Sequence, residues 1–421
     1  MPAANSSRGR ELERSFVILA WVLLGLTLAK GLRVPGRWGA THFAFNYSQG
    51  FVRRGLVGEI ARRVGGDDVY RYNTYVIFSF AVMLVAVLTT AWLVRRALRI
   101  HQRDLGFRVA LLVFLGSPAV YFLAHVVGYF DWIGVALMLV FLAGASRSRR
   151  HFSIYYGAAA VGVLFSLIHE GLGPMFGPAI CFVLLCHIKR RVSGAASVGS
   201  WVAHLAHGTA VGLLLVVPPI ILSTMGADQS SRVEAMRHFI VQHADYALRP
   251  DAIATLTRSS YQGMTEYVPW FWDQQEFWPP MIYGQIAFVP GFLFVLFYGW
   301  HCIWRSALRK WQRWAMGLAF LCASVAPELL NLVGWDWQRW NAISMVSAAT
   351  CILAFKLFVP AAAAPARPSW LVPTGLVLTA LGLASTTKLF DGFEAQWFPF
   401  QQHVEFVEQW VDGGFKHRPA L

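Results

Sequence analysis

The chain has 421 residues, of which 56% are hydrophobic and only 14% are charged, and its mean hydropathy is +0.48. Soluble domains are about one quarter charged, so this composition excludes an ordinary water-soluble protein and predicts an integral membrane protein. The net charge of +14 does not by itself indicate a nucleic-acid partner, and none is expected. Basic residues collect beside membrane spans on the cytoplasmic side, which accounts for the excess.

Eleven segments approach the roughly 20 apolar residues that a helix needs to cross a bilayer. They are 15–32, 74–94, 107–126, 130–146, 153–168, 172–187, 200–224, 281–304, 315–333, 341–359 and 369–386. The predicted fold class is therefore all-α, a polytopic transmembrane helical bundle of about eleven spans. The basic clusters between the spans place the N-terminus inside and the C-terminus outside.

This topology gives one transmembrane helical domain, 1–386, with two outer loops, 33–73 and 225–280, and an outer tail, 387–421. Within the second loop, the stretch RVEAMRHFIVQHADYALRPDAIATL predicts two short helices separated at Arg249–Pro250. The aromatic and polar side chains that follow suit either stacking on sugar rings or anchoring at the membrane interface. They are Trp270, Trp272, Asp273, Gln274, Gln275, Glu276 and Trp278.

The first outer loop contains FNYSQGFVRRGLVGEIARRV, residues 45–64, with two arginine pairs on the predicted outer side. Its apolar residues recur at helical spacing, which predicts a short amphipathic helix at the interface. Arg53–Arg54 could clamp a phosphate, because guanidinium groups match phosphate oxygens bidentately. Alternatively, the arginines bind lipid headgroups and Glu59 simply pairs with Arg62–Arg63 at i+3 and i+4. The sequence leaves both interpretations open.

Ionisable residues at the ends of the predicted spans all fall on the outer side. They are Asp131, His169–Glu170, Glu328, Asp336 and Arg339. Each has a structural explanation: Asp131 could cap the following helix, and Asp336 with Arg339 could form an interfacial salt bridge. Charged residues within spans are costly and are functional candidates. Carboxylates, a histidine and arginines at a common depth suit an acid/base site with an anion clamp.

The segments NYSQGFVRRGLVGE and GYFDWIG resemble those of bacterial polytopic proteins of surface-polysaccharide biosynthesis. The layout of spans and outer loops also resembles the GT-C glycosyltransferase superfamily. This resemblance implies a transferase of the bacterial inner membrane, acting at its outer face. Its partners would be membrane lipid, a polyprenyl-phosphate-linked sugar donor and a glycan or lipid-linked acceptor. The catalytic acid of that superfamily usually lies in the first outer loop, where this chain has Asn46 at about the expected place, so Glu59 and Asp131 are the best matches left.

The expected roles follow from these matches. The candidate catalytic residues are Asp131, Glu59, Glu170 and His169, with Asp131 or Glu59 as the base. The candidate substrate-binding residues are Arg53, Arg54, Asn46, Asp336, Arg339 and Glu328. No cofactor is certain, and a divalent metal ion at His169–Glu170 is left open. The alternatives are a polysaccharide polymerase, a transporter or flippase of lipid-linked sugars, an acyltransferase with His169 as its base, and an assembly subunit without chemistry.

Overall fold

A computed structural model of the chain describes most of the sequence. The described residues are 3–101, 104–148, 152–191, 198–224, 230–258, 268–273, 278–332, 336–359 and 368–385, with 262, 265, 266, 404 and 408. These residues form helices and turns and contain no strand, as the all-α prediction requires. Apart from residues 404 and 408, the predicted tail 387–421 lies outside the described residues.

The α-helices of six residues or more are numbered here in chain order. They are α1 (Ala3–Gly31), α2 (Arg37–Ala44), α3 (Leu56–Gly65), α4 (Tyr72–Ile100), α5 (Leu105–Leu115), α6 (Pro118–His125), α7 (Asp131–Arg147), α8 (Ser153–Ile168), α9 (Leu172–Arg191), α10 (Val198–Thr224), α11 (Ser230–His243), α12 (Pro250–Thr257), α13 (Val268–Asp273), α14 (Trp278–Trp304), α15 (Lys310–Val325), α16 (Trp337–Phe358) and α17 (Leu371–Ala384). Two 3₁₀ helices, Gly66–Tyr70 and Ala326–Leu332, follow α3 and α15.

Seven helical stretches in the described part of the chain are long and apolar enough to cross a membrane. They are Glu13–Gly31, Tyr72–Ile100, Leu172–Arg190, Val202–Leu222, Ile282–Trp304, Lys310–Asn331 and Trp337–Phe358. The pair α5 and α6 is bent by 41° and makes an eighth candidate if it counts as one span. The other three predicted spans coincide with α7, α8 and α17, apolar helices of only 17, 16 and 14 residues. The chain is thus an all-helical membrane protein, while the eleven crossings remain a prediction.

Helix α16 lies at the centre of the bundle, where 19 of its 22 residues are buried. It packs against α4, α6, α7, α9, α14 and α15. Its two ends each carry a buried cation, Arg339 near the start and Lys356 near the finish, and we call these the Arg339 end and the Lys356 end. At the latter, Lys356 Nζ donates to Asp104 Oδ2 at 2.5 Å, and His101 Nε2 bonds to the Lys356 carbonyl at 2.7 Å.

The two predicted outer loops pack on each other at the Arg339 end. Helices α2 and α12 are in contact, Tyr246 Oη donates to the Ala40 carbonyl at 2.8 Å, and the backbone N–H of Arg249 donates to Thr41 Oγ1 at 3.0 Å. The prediction of two short helices separated at Arg249–Pro250 is confirmed by α11 and α12.

The prediction of one amphipathic helix over 45–64 is wrong in its first half. Helix α3 begins only at Leu56, and the preceding residues form turns. Gly50 has φ +98° and Arg54 has φ +62°, backbone conformations that no right-handed helix contains. Arg53–Arg54 therefore lies in a tight turn rather than on a helix face.

Candidate functional site

A fork between Arg54 and Glu170 joins the first outer loop to the turn between α8 and α9. Arg54 Nε donates to Glu170 Oε2 at 3.1 Å, and Arg54 Nη2 donates to Oε1 at 2.5 Å. Arg54 also has the left-handed backbone noted above, which is uncommon and unfavourable for a side chain of this size. The bidentate pair is the strong interaction that holds the turn in this conformation.

Arg53 is buried and its guanidinium group is bound to backbone carbonyls. Its Nη2 donates to the carbonyls of Thr255, Leu256 and Arg258 at 2.8, 3.0 and 2.5 Å. The other terminal nitrogen of Arg53, Nη1, lies 3.5 Å from Glu170 Oε1. Arg53 thus fastens the end of α12 to the first outer loop. This arrangement does not support the predicted phosphate clamp at Arg53, because the fork already holds protein oxygens.

Asp131 forms a second bidentate pair with Arg339, 208 residues away in the chain. Arg339 Nε donates to Asp131 Oδ2 at 2.6 Å, and Nη2 donates to Oδ1 at 2.8 Å. Arg339 Nη1 reaches Asp336 Oδ2 at 3.2 Å. The interpretation of Asp131 as a helix cap is wrong: Phe130 is the N-cap residue of α7, and Asp131 makes no capping bond. Gly128, with φ +94°, lies in the tight turn just before α7, and Asp131 at the start of α7 contacts Arg339.

We call these six side chains the arginine network: Arg53, Arg54, Arg339, Glu170, Asp131 and Asp336. Three cations and three carboxylates balance each other. A buried charge is tolerated only with a well-placed partner, and here every guanidinium has a carboxylate within 4 Å. The contacts join Arg53 and Arg54 to Glu170, and Arg339 to Asp131 and Asp336. The common outer face of these residues and the roles assigned to them remain predictions.

Two histidines adjoin the arginine network. His169 Nδ1 accepts from the Gly171 N–H at 2.9 Å. His42 Nε2 lies 3.0 Å from both the Ala252 carbonyl and Thr255 Oγ1. Because a carbonyl only accepts, Nε2 of His42 carries the proton, and the lone pair is on Nδ1, which is buried without a hydrogen-bond partner.

Burial, and then the charge of Arg54, hold the pKa of His42 and of His169 well below the usual value of 6.5. The charge of Arg339 lowers both pKa values further. Burial alone would raise the pKa of Glu170, but Arg54, followed by His169 and Arg53, brings it well below its usual value. At neutral pH both histidines are neutral and Glu170 is ionised.

Glu328, in the 3₁₀ helix Ala326–Leu332, has a different environment. Asn331 Nδ2 donates to its Oε2 at 3.0 Å. In the amide orientation that satisfies both of its neighbours, Asn341 donates to the two carboxylate oxygens at 3.0 and 3.1 Å and accepts from Gln285 Nε2 at 2.8 Å. Among the described residues, no lysine, arginine or histidine lies within ion-pair distance of Glu328. It is a half-buried carboxylate whose partners among the described residues are neutral, the amides of Asn331 and Asn341 and the hydroxyl of Ser344.

An apolar groove opens on the surface of the bundle at the same end as Glu328. Its volume is about 480 Å³, and it lies between α5, α6, α14 and α17. Exposed Ile286 and Leu381 line it, so it opens on a face suited to lipid. A smaller cavity of about 20 Å³ shares Pro118 with this groove and is lined by Gln338 and Asn341. Pro118 therefore separates the groove from a small cavity lined by Asn341, which bonds to Glu328, and by Gln338, which precedes Arg339.

Glu59 and Asn46 lie apart from the arginine network. Glu59 accepts from Arg63 Nε at 2.6 Å, from Arg62 Nη2 at 3.1 Å and from the Tyr47 N–H at 3.2 Å, and these are its partners in the described part of the chain. The sequence-based alternative of an i+3 and i+4 pairing is confirmed. Asn46 bonds to Tyr70 Oη and the Ala44 carbonyl and shapes the turn. Neither residue meets Asp131, Glu170 or Arg339.

A metal site is not apparent in the described residues, which contain no group of three or more His, Cys, Asp or Glu side chains placed to hold an ion. Three side chains at this end escaped the sequence interpretation: His42, Thr255 and Asn341. His42 lies in the predicted first outer loop, 33–73, which also holds Arg53 and Arg54, and that position was a usable signal. Thr255 and Asn341 carry no charge, so a search for ionisable residues could not find them.

Comparison with known proteins gives relatives for part of the chain. Two uncharacterized proteins of Mycobacterium tuberculosis and one of Mycobacterium bovis are each 30% identical to it over 187 residues. The match covers 42% of this chain and 40% of each relative, so the chain spans well under half the length of these relatives. No family model matches, and no solved structure does.

Proposed function

We propose that the chain is a membrane glycosyltransferase that uses a polyprenyl-phosphate-linked sugar at the outer face of the bacterial inner membrane. The acceptor is a growing surface glycan or a lipid-linked sugar, so a polymerase falls within the same chemistry. In this proposal the N-terminus is inside, the C-terminus is outside, and the Arg339 end faces outward. The observation that supports it most is Glu328, a carboxylate with no cation of the described residues within ion-pair distance, whose partner Asn341 lines a small cavity next to the lipid-facing groove.

The transfer needs a base that can take a proton from the acceptor hydroxyl. Asp131 and Glu170 are poor candidates, because guanidinium forks occupy both oxygens of each. Among the described residues Glu328 has only uncharged partners, so its negative charge is far less stabilised than that of Asp131 or Glu170. We therefore propose that the base is Glu328 and not Asp131 or Glu59. Its carboxylate accepts the proton as the hydroxyl oxygen bonds to the anomeric carbon.

The leaving group of this displacement is the polyprenyl phosphate, released as the bond between the anomeric carbon and the phosphate oxygen breaks. Its lipid chain lies in the groove between α14 and α17. Arg339 meets the phosphate with Nη1, whose 3.2 Å contact with Asp336 is the longest of its three. Asp131 keeps the other side of the guanidinium group fixed. In this proposal Asp131 positions the guanidinium group and Nη1 of Arg339 faces the phosphate.

The test is genetic complementation in the host bacterium after deletion of the gene. Wild type, Glu328→Gln and a control, Glu234→Gln, are compared for surface glycan and for the lipid-linked sugar. Glu234 is an exposed residue of α11 paired with Arg237. Loss of a general base costs about 10²–10⁴-fold in rate, so Glu328→Gln should lose glycan and accumulate donor at normal protein abundance. Wild-type glycan from this variant would refute the assignment.

A second function, a flippase for the same lipid-linked sugar, is favoured by one observation. Helix α16 is held by buried ion pairs at both ends, Arg339 with Asp131 and Lys356 with Asp104, and two such pairs could act as alternate gates. Loss of a flippase leaves the donor in the inner leaflet, whereas loss of a transferase leaves it in the outer leaflet. An acyltransferase gains no support, because His169 follows the last residue of α8 rather than lying in mid-bundle.

A further inference from the structure

A second groove, separate from the arginine network and from Glu328, lies between α1, α4 and α5. Its volume is about 750 Å³. The walls are almost entirely apolar and include Phe16, Trp21, Leu24, Trp92 and Leu111. Its α4 residues Thr90 to Leu98 belong to the last third of that helix, which ends beside Lys356. The groove therefore reaches toward the Lys356 end, which the charge pattern places in the cytoplasm.

The polar end of this groove is cationic. Arg14 and Arg95 line it together with one carboxylate, Glu13. Both arginines are exposed, and neither has a hydrogen bond or an ion pair with another described residue. Unlike Arg53, Arg54 and Arg339, they are not matched by protein acceptors.

Two further guanidinium groups stand next to this end. Arg147 lies over the Trp92 ring at 4.3 Å and Arg96 over the same ring at 5.4 Å. Arg96 also donates to the Ser146 hydroxyl and carbonyl at 3.0 and 2.9 Å, so it is held in place. The fixed charges raise the local positive potential at the mouth of the groove without closing it.

We propose that this groove binds one anionic phospholipid, with an acyl chain along the apolar walls and the phosphate between Arg14 and Arg95. Guanidinium forks match phosphate oxygens, and an apolar wall between two tryptophans suits a hydrocarbon chain. A zwitterionic lipid would fill the same walls but would bring a second positive charge among the arginines. The inference does not depend on the proposed transfer reaction, since it involves neither the Arg339 end nor its groove.

Native mass spectrometry of the purified protein tests the site by titration with dioleoylphosphatidylglycerol and dioleoylphosphatidylcholine. The variant is Arg14→Gln/Arg95→Gln. The control, Arg99→Gln/Arg305→Gln, removes the same charge from exposed positions that do not line the groove. A basic residue near an anionic headgroup contributes about 1 kcal/mol, so the groove variant should bind one phosphatidylglycerol roughly 30-fold more weakly. The control should bind it as wild type does.

Three outcomes would overturn the proposal. If both double variants lose phosphatidylglycerol equally, the attraction is general and no phosphate sits between Arg14 and Arg95. If wild type binds the two lipids equally, the arginines do not select the headgroup. A third variant, Ala91→Phe, fills the groove wall and should weaken both lipids. Unchanged binding of both lipids by a folded Ala91→Phe protein would place the lipid elsewhere.

Discussion

Two carboxylates at the Arg339 end of α16 differ in their surroundings. Asp131 is fully buried, and both of its oxygens accept from Arg339. Glu328 is half-buried, and its partners among the described residues are the amides of Asn331 and Asn341 and the hydroxyl of Ser344. The charge of Asp131 therefore stabilises the bundle by neutralising Arg339, whereas no described lysine, arginine or histidine is paired with Glu328. A buried carboxylate is a poor candidate for a base when its partner is a guanidinium fork.

The largest effect on stability should come from breaking the Asp131 pair. Asp131→Asn removes the charge and one of the two acceptor oxygens opposite the buried Arg339, which leaves Asp336 as its one described carboxylate partner. Removing the charge of one partner of a buried pair costs about 3–5 kcal/mol. Membrane abundance should fall, and the thermal midpoint in detergent should drop. Glu328→Gln, which strands no charge, serves as the control and should cost about 1 kcal/mol or less.

A double variant sharpens this prediction. Asp131→Asn/Arg339→Gln removes both charges together, so it should be less destabilised than the sum of the two single variants. Strict additivity would mean that the two side chains do not stabilise each other, and the comparison with Glu328 would lose its basis.

A smaller effect is expected at Arg53. Lys has three donors in a compact head and cannot span the carbonyls of Thr255, Leu256 and Arg258 as a guanidinium group does. Hydrogen bonds to charged groups contribute about 1.5–3 kcal/mol, so Arg53→Lys should destabilise by roughly that amount. Limited proteolysis should then cut the segment after α12 sooner. A phosphate clamp predicts instead a loss of activity with unchanged proteolysis, the outcome that would restore the sequence-based interpretation.

The pH dependence of stability tests the histidines. The pKa values of His42 and His169 are lowered in the folded state. Below about pH 6.5 these histidines are therefore protonated in the unfolded chain but stay neutral in the folded protein. Stability should fall as pH decreases through this range, by at most about 1.4 kcal/mol per pH unit for each histidine. Glu170, with its lowered pKa, adds a loss only below about pH 4.5, in the same direction.

The double variant His42→Gln/His169→Gln tests this assignment. Its thermal midpoint should change less between pH 7 and pH 5 than the midpoint of the wild type does. His238→Gln is the control, because that histidine is exposed on α11. An unchanged slope in the double variant would show that other groups cause the acid sensitivity.

The smallest effect is expected at Glu59, where Arg63 is 75% exposed. Exposed i,i+4 pairs contribute about 0.3–0.5 kcal/mol, so Arg63→Gln should shift the thermal midpoint by no more than about 1–2 °C. A large loss of activity from Arg63→Gln would indicate that Glu59 and the first outer loop take part in the reaction.

The sequence predicted the helical membrane class and most of the polar residues at the Arg339 end, because long apolar runs and rare charges within them are local signals. Pairings could not be predicted in this way. Asp131 and Arg339 lie 208 residues apart, and only the packing of α7 on α16 brings them together. For the same reason the sequence could not predict that no described cation pairs with Glu328, because the neighbours of a side chain depend on the fold.

Helix α3 shows a different limit. Its apolar spacing extended to Phe51 and Val52, so periodicity alone predicted one helix from 45 to 64. The backbone at Gly50 and Arg54 interrupts it, and the fork to Glu170 stabilises a conformation that arginine seldom adopts. A tertiary contact here outweighs a local pattern, and no pattern in the loop indicated it.

The central claim is that Glu328 acts in the chemistry and Asp131 in the structure. The most direct measurement is glycan product per unit of folded protein in membranes that contain Glu328→Gln or Asp131→Asn, with folded protein quantified by monodisperse size-exclusion elution. We predict that Glu328→Gln is folded at wild-type level with product lowered about 10²–10⁴-fold, and that Asp131→Asn is poorly folded but keeps at least a tenth of wild-type product per folded molecule. Full product from Glu328→Gln, with well-folded and inactive Asp131→Asn, would contradict the account.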